Sequence, residues 1–199
     1  EGLEARIGYR FRDRALLEQA MTHRSRAAED TSGGVVDNES LEFLGDAVLG
    51  LVVAAALYSQ YPDHDEGQMS KAKATVVSTQ ALARQALRLG LGEHLLLGRG
   101  EEKTGGREKP ALLADAFEAL VAAIYLDGGF EEASAFLGRE LADAIVAGSD
   151  PDLVHDHKSA LQERLQAAGR PLPDYRVSGE TGPDHRKLFS VDVAVGGEI

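Results

Sequence analysis

The chain has 199 residues, of which 43% are hydrophobic and 27% are charged, so it is long and apolar enough to bury one or two cores. It contains no cysteine, which excludes disulfide bonds and thiolate metal sites and is typical of proteins from a reducing cytoplasm. Its net charge of −12 argues against nucleic-acid binding through basic residues, unless acidic residues hold divalent cations that bridge to phosphate.

Apolar residues recur at three- and four-residue spacing from Leu3 to Glu140, which predicts a nearly all-helical region. Pro110 stands where a helix is expected to begin, since a proline in the first turn loses no helical hydrogen bond. Segments 28–37 and 98–109 are rich in polar residues and glycine, so both are predicted to be loops. The longest apolar run, residues 47–58, is too short to span a bilayer, and no membrane partner is expected.

The pattern changes after Pro151. An amphipathic helix is predicted for residues 157–169, followed by two alternating segments that predict strands joined by a turn-rich connection. A helix and a hairpin cannot cover both faces of a sheet, so this unit is expected to be incomplete and its sequence truncated. The predicted organisation is a helical domain over residues 1–150, a linker over 151–155 and an incomplete α+β domain over 156–199.

Three carboxylates, Glu39, Glu42 and Asp46, lie within the otherwise apolar segment NESLEFLGDAVLG and would fall within an arc of roughly 60° on a helix. A second apolar helix carries Asp115 and Glu118, three residues apart. Burying an unpaired carboxylate costs roughly 2 kcal/mol or more, so carboxylates that converge between two packed helices need a counter-charge. All-oxygen ligands suit Mg²⁺ or Mn²⁺, and the pattern therefore predicts a partly buried divalent-metal site.

A second interpretation stays open from the pattern alone. Acidic residues three apart are common on solvated helix faces, so the stripes are also compatible with a structural helical protein that binds no metal. The sequence contains no serine–histidine–aspartate arrangement and no glycine-rich phosphate loop between a strand and a helix. The scattered histidines His23, His64 and His94 predict no site of their own.

The segment NESLEFLGDAVLG resembles the signature of the ribonuclease III family. The stretches IGYRFRDRALLEQAMTHRS, DEGQMSKAKATVVS and LLADAFEALVAAIYLDGG resemble, in order, the first helices, the middle segment and the second acidic helix of that family. The C-terminal part is similar to the start of a double-stranded RNA-binding domain. The resemblance implies a mostly α fold, in which an all-helical ribonuclease III endonuclease domain precedes an incomplete α+β double-stranded RNA-binding domain.

The activity implied by this resemblance is that of an endoribonuclease that cuts both strands of double-stranded RNA. Such an enzyme is expected to use Mg²⁺, with Mn²⁺ as a substitute, and to leave 5′-phosphates and short 3′ overhangs. It is expected to act as a homodimer in the cytoplasm, on ribosomal RNA precursors, messenger RNA and other structured RNAs. The alternative is a double-stranded RNA-binding regulator with the same fold that does not cut.

The resemblance also implies roles for individual residues. The expected metal ligands are Glu42, Asp46, Asp115 and Glu118, of which Asp46 and Glu118 are expected to be catalytic. Two further acidic positions near the cleft, linked to the dimer interface, are Glu39 and Glu66, and Phe43 is expected to enter a socket on the partner subunit. Expected RNA contacts are Gln162, Glu163 and His185. The basic cluster that opens a second helix in such RNA-binding domains is absent from the sequence, so residues 156–199 are not expected to bind RNA alone.

Overall fold

The structure is a computed structural model that describes residues 2–149, 157–182 and 187–197. The chain divides into two compact units, Glu1–Val154 and His155–Ile199. The first unit is built from helices, and the described part of the second holds one helix and a two-stranded sheet. The predicted fold class, a helical domain followed by an incomplete α+β unit, is confirmed.

The helices of the first unit are α1 (Leu3–Ile7), α2 (Arg14–Ala20), α3 (Arg24–Ala27), α4 (Glu39–Gln60), α5 (Glu66–Val76), α6 (Thr79–Leu89), α7 (Leu91–His94), α8 (Arg99–Lys103), α9 (Pro110–Gly128) and α10 (Phe130–Ser149). A 3-10 turn, Gly106–Glu108, lies between α8 and α9. The described elements of the second unit are α11 (His157–Ala167), β1 (Pro173–Thr181) and β2 (Leu188–Val195).

Helix α9 lies at the centre of the first unit. Ten of its 19 residues are buried, and α2, α4, α6 and α10 pack around it. Pro110 occupies its first turn, as predicted, and Gly129, with φ of 91°, lies at its C-terminal end, where glycine carries no steric penalty. Alanines at 114, 116, 119, 122 and 123 are all buried and let neighbouring helices approach α9 closely.

Helix α4 packs along α9 and buries one face from Leu41 to Leu57. By length and composition alone this helix would be able to cross a membrane, although only 39% of its most apolar stretch is buried in the fold. A core helix can have the same length and apolar composition, so these features alone are weak evidence for a membrane span. The helix is longer than the apolar run 47–58 because the two turns that carry Glu39, Glu42 and Asp46 are helical as well.

The prediction that residues 98–109 form a loop is wrong, because they form α8 and the 3-10 turn. Arg107 donates hydrogen bonds to both carboxylate oxygens of Glu102, at 2.7 and 2.9 Å. Lys109, which precedes α9, pairs with Glu101 of α8. These charged contacts link the two ends of the segment and offset the poor helix propensity of its glycines.

In the second unit, β1 and β2 pair antiparallel, from Pro173 opposite Val195 to Thr181 opposite Leu188. Helix α11 contacts β1 and contributes Leu165, which is buried. Apolar side chains of the sheet remain exposed, among them Val177 at 60% and Phe189 at 55%. This arrangement fits the predicted incomplete α+β domain, in which the helix covers only part of the sheet.

Candidate metal centre

Helices α4 and α9 meet backbone to backbone at Gly45 and Glu118. A Cβ atom placed on Gly45 would lie 1.8 Å from the carbonyl oxygen of Glu118 and 2.5 Å from its carbonyl carbon. Only glycine avoids this overlap, because any other residue would force the two helix backbones apart. Residues three and four apart share a helix face, so the same contact brings Glu42 of α4 towards Asp115 and Glu118 of α9.

The side chains of Glu42, Asp115 and Glu118 form an acidic cluster. One carboxylate oxygen from each residue lies within 4.8 Å of the other two, and all three residues are partly buried. Three like charges at this separation repel one another, so the arrangement favours either a bound cation or protonation of the carboxylates.

The pKa values of the carboxylates in the acidic cluster are raised. Burial is the main reason that the pKa of Glu118 rises to about 7. Nearby negative charges raise it further, in the order Asp46, Glu42 and Asp115. Burial is also the first cause of the raised pKa of Glu42, followed by the charges of Asp115, Glu39 and Asp46. Removal of a proton from Glu118 is therefore harder than from an ordinary glutamate, and a cation that compensates the new charge would favour it.

Asp46 lies beside the acidic cluster and is not one of the three residues whose ligand atoms converge. Its side chain is exposed, so the partial burial predicted for the carboxylates of the two helices does not extend to it. It follows Glu42 by four residues and therefore lies on the same side of α4 as Glu42. Its charge raises the pKa of Glu42 and Glu118, which places it near the cluster. Its predicted role as a metal ligand stays a prediction.

Glu39 and Glu66 also lie outside the acidic cluster, exposed at the first positions of α4 and α5. Glu39 pairs with Arg24, with 3.4 Å between Oε1 and Nη1, and Glu66 accepts a hydrogen bond from the Ser70 hydroxyl at 2.9 Å. Phe43 is 82% exposed, which is uncommon for an aromatic side chain. The predicted links of these residues to a cleft and a dimer interface stay predictions.

The predicted RNA-contacting residues belong to the second unit. Gln162 is exposed on α11, and Glu163 lies on the same helix. His185 lies outside the described residues. Contact of these three residues with RNA stays a prediction.

Two basic residues near the acidic cluster, His23 and Arg24, were not predicted to have a role. Burial raises the pKa of Asp115, and the charges of His23 and Arg24 lower it in part. Their segment is joined to the connection between α7 and α8 by a short parallel β-bridge between Thr22 and Leu96. No local sequence signal could reveal this proximity, because the bridge joins segments that are distant along the chain.

The acidic cluster fits a divalent cation. Its ligands are carboxylate oxygens, which suit hard ions such as Mg²⁺ and Mn²⁺ better than ions that prefer thiolate or imidazole. A cation would also offset the repulsion that raises the pKa of Glu118. Both the donor set and the mutual repulsion of the carboxylates thus support metal binding by Glu42, Asp115 and Glu118.

Comparisons with known proteins show which families the two units resemble. Residues 13–145 match the family model described as "Ribonuclease-III-like", and residues 157–199 match that of the "Double-stranded RNA binding motif". The chain is 45% identical to Ribonuclease 3 of Syntrophobacter fumaroxidans, covering 100% of this chain and 84% of that protein. It is 47% identical to Ribonuclease 3 of Treponema pallidum, covering 98% and 77% respectively. The solved nuclease domain of ribonuclease III from Campylobacter jejuni is 42% identical, with a TM-score of 0.66 over 71% of this chain and 95% of that domain.

Replacement of Gly45 by alanine tests the helix contact. We expect Gly45→Ala to lower the free energy of unfolding by about 2 kcal/mol or more, because its Cβ would overlap the backbone of Glu118. The matched control is Gly50→Ala on the same helix, where the new Cβ would lie 3.2 Å from the flexible Nζ end of Lys73. The control should be neutral or more stable by up to about 1 kcal/mol, owing to the higher helix propensity of alanine. Equal free energies of unfolding of the two variants in urea denaturation would show that α4 and α9 accommodate a Cβ at position 45, and would contradict the close backbone contact.

The raised pKa of Glu118 predicts a pH dependence. Because its folded pKa of about 7 exceeds the ordinary 4.5, the metal-free protein should lose stability as pH rises between these values. Above pH 7, Glu118→Gln should therefore be more stable than the parent by roughly 1 kcal/mol once solvent screening is allowed for, with a smaller difference at pH 5. Mn²⁺ affinity of the parent should increase as pH rises through about 7, since protons and metal compete.

Calorimetry in EDTA and Mn²⁺ titration at pH 5, 7 and 8 measure both effects. The matched control, Asp143→Asn, removes an exposed carboxylate on α10 and should show no such gain in stability at high pH. A pH-independent Mn²⁺ affinity, or a gain in stability shared by Asp143→Asn, would show that the acidic cluster is not the cause.

Proposed function

The chain belongs to the ribonuclease III family, and from this membership we propose that it hydrolyses both strands of double-stranded RNA by a divalent-metal mechanism. It is an endoribonuclease with a double-stranded RNA-binding motif. The proposed products carry 5′-phosphates and short 3′ overhangs. The observation that carries the proposal is the acidic cluster, in which Glu42, Asp115 and Glu118 converge.

Glu42, Asp115 and Glu118 would hold the ion, which we propose to be Mg²⁺, with Mn²⁺ as a substitute. When bound, such an ion supplies an activated water and neutralises charge on the phosphate and on the leaving 3′-oxygen. Breaking the bond between phosphorus and the 3′-oxygen leaves the phosphate on the 5′ end. The protein's part is to hold the three carboxylates in place through the α4–α9 contact, so that little rearrangement is needed during the reaction.

The same arrangement explains how an acidic protein can act on a polyanion. With a net charge of −12 the protein would repel RNA at long range in the absence of cations. A divalent ion held by Glu42, Asp115 and Glu118 would neutralise most of the local negative charge and would supply a positive centre for a phosphate oxygen. RNA cleavage should therefore depend on metal both for the chemical step and for the approach of the scissile phosphate.

Cleavage of two strands requires two active sites, and we propose that a homodimer supplies them by symmetry. Phe43 supports this proposal, because an aromatic side chain 82% exposed on α4 is suited to a pocket on a partner subunit. The related nuclease domain from Campylobacter jejuni shows structural flexibility in a region involved in dimer formation. Glu39 and Glu66 are the acidic residues that we propose to link the interface to the cleft.

We propose that the second unit binds double-stranded RNA through α11 and the connection between its strands. Gln162 and Glu163 are the proposed helix contacts and His185 the proposed contact from the connection. Double-stranded RNA is recognised mainly by its shape, its 2′-hydroxyls and its phosphates, so the substrates are proposed to be structured RNAs. Precursors of ribosomal RNA and duplex regions of messenger RNA in the cytoplasm belong to this class.

Glu118→Gln separates binding from catalysis. The amide preserves the shape of the side chain but removes a negative ligand, so cleavage of a labelled duplex in Mg²⁺ should fall at least about 100-fold. Binding of the duplex should persist or tighten, because less negative charge faces the phosphates. The control Asp143→Asn should cleave at the parent rate. Single-turnover cleavage and gel-shift binding on one duplex measure both effects.

Mapping the ends of the RNA fragments tests the proposed products, which should carry 5′-phosphates and short 3′ overhangs. If Glu118→Gln cuts at the parent rate in Mg²⁺, the role of this carboxylate is wrong. If the parent protein binds the duplex but never cuts it in Mg²⁺, the protein is instead a binding regulator.

Replacement of Phe43 tests the homodimer. Light scattering of the parent at micromolar concentration should give the mass of a dimer, and Phe43→Ala should shift it to a monomer. Loss of a well-packed aromatic anchor costs about 3 kcal/mol or more, which weakens association at least about 100-fold. The control Leu87→Ala removes a 56% exposed apolar side chain from α6 and should leave the dimer intact. A monomeric parent protein would rule out the proposed interface.

A further inference from the structure

Arg24 lies at the edge of the acidic cluster without belonging to the proposed metal ligands. Its Nη1 atom is 3.4 Å from Oε1 of Glu39, the first residue of α4. The Arg24 side chain is 70% exposed and that of Glu39 is 57% exposed. Glu39 precedes Glu42 of the acidic cluster by three residues, so it lies on the same side of the helix. The guanidinium therefore faces solvent beside the carboxylates.

The backbone that carries Arg24 is held against the start of α4 by Asn38. This asparagine is 3% exposed, and its side-chain amide donates a hydrogen bond to the carbonyl of Ala20 at 3.2 Å. Its backbone amide donates to the carbonyl of Thr22 at 2.9 Å. These two hydrogen bonds, one from the side chain and one from the backbone of Asn38, fix the distance between this segment and the first turn of α4.

The same segment is held from the other side by the connection between α7 and α8. The backbone amide of His23 donates to the carbonyl of Leu96 at 3.0 Å. The hydroxyl of Ser25 accepts a hydrogen bond from the backbone amide of Gly98 at 2.9 Å. Arg24 thus projects from a backbone held by hydrogen bonds of both of its sequence neighbours, and its own side chain is exposed.

The ion pair with Glu39 does not account for this placement. An exposed pair at 3.4 Å contributes little to stability, because solvent screens the attraction and two long side chains lose freedom. A guanidinium binds phosphate with several hydrogen bonds in a matching plane, and its charge persists at any physiological pH. A phosphate that approaches the acidic cluster can therefore replace Glu39 as the partner of Arg24.

We propose that Arg24 is a positioning residue that binds a backbone phosphate of double-stranded RNA adjacent to the scissile bond, with Glu39 as its partner until RNA arrives. This inference rests on the proposed function and adds a protein contact to the metal-held phosphate. The adjacent His23 is held in the turn, where its Nδ1 lies 2.8 Å from the Ser25 hydroxyl.

The proposal predicts effects of opposite sign for the two partners of one ion pair. Removal of the Arg24 charge should weaken RNA binding, because one phosphate contact is lost. Removal of the Glu39 charge should strengthen it, because Arg24 no longer has a competing partner and less negative charge faces the RNA. A pair with only a structural role would give changes of the same sign, since either substitution breaks it.

The test is the affinity of the full chain for a synthetic RNA duplex at several KCl concentrations in Mg²⁺, with every variant made in the Glu118→Gln background so that cleavage is suppressed. Glu118→Gln alone then serves as the parent in the comparisons of affinity and slope. Arg24→Gln should weaken binding about 5- to 10-fold and reduce the slope of log affinity against log salt by about 1. Arg24→Lys should restore the slope but only part of the affinity, since an ammonium cannot form the paired hydrogen bonds. Glu39→Gln should bind more tightly than the parent. Circular-dichroism melting of each variant verifies that it is folded.

The matched control is Arg6→Gln, which breaks the exposed pair between Arg6 and Glu93, 2.9 Å apart, and should leave both affinity and slope unchanged. An Arg24→Gln variant with the parent's affinity and slope would overturn the inference, as would a Glu39→Gln variant that weakens binding. If the parent cleaves the duplex in Mg²⁺ while Arg24→Gln behaves like the parent, the proposed function stands and only this inference fails. If the parent neither binds nor cleaves the duplex, both fail together.

Discussion

The backbone contact between Gly45 and Glu118 is the constraint on which the candidate site depends. At this point α4 and α9 approach so closely that a single Cβ atom would overlap a peptide carbonyl. The helices are otherwise held by apolar packing, which would tolerate a small change in their separation. The carboxylates would not, because a metal ion needs ligand oxygens at a fixed distance. A glycine between Glu42 and Asp46 thus links the geometry of the core to the geometry of the site.

The electrostatic arrangement follows from that contact. The acidic cluster concentrates negative charge in a partly buried place, which raises the pKa of Glu118 to about 7. The cost is offset when a divalent cation binds, so the fold stores unfavourable carboxylate repulsion that the metal relieves. Arg24 and Glu39 form an exposed ion pair beside the acidic cluster. In the proposed mechanism, attraction for phosphate would come from an ion held by the acidic cluster and from the guanidinium of Arg24 beside it.

Much of this arrangement was predictable from sequence because it is local. The helical spacing around Glu42 and around Glu118, together with the signature segment, predicted two acidic helices and the family. Asp46 lies on the same side of α4 as Glu42 and was expected to share its partial burial, yet its side chain is exposed, because burial depends on how α9 packs and not on the apolar sequence neighbours. Helix α8 depends on charged contacts within its own segment, such as Arg107 with Glu102, and the placement of Arg24 depends on a contact between distant segments, Thr22 with Leu96. Such contacts leave no periodic trace in the sequence.

The most direct test of the candidate site is the position of a bound metal ion. Anomalous X-ray scattering from crystals of the protein grown with Mn²⁺ locates the ion without any reference to activity. We expect a peak about 2.2 Å from carboxylate oxygens of Glu42, Asp115 and Glu118, the usual distance for such an ion and oxygen ligands. A peak elsewhere, or none at this cluster at millimolar Mn²⁺, would contradict the central claim that the contact of α4 with α9 builds a metal site.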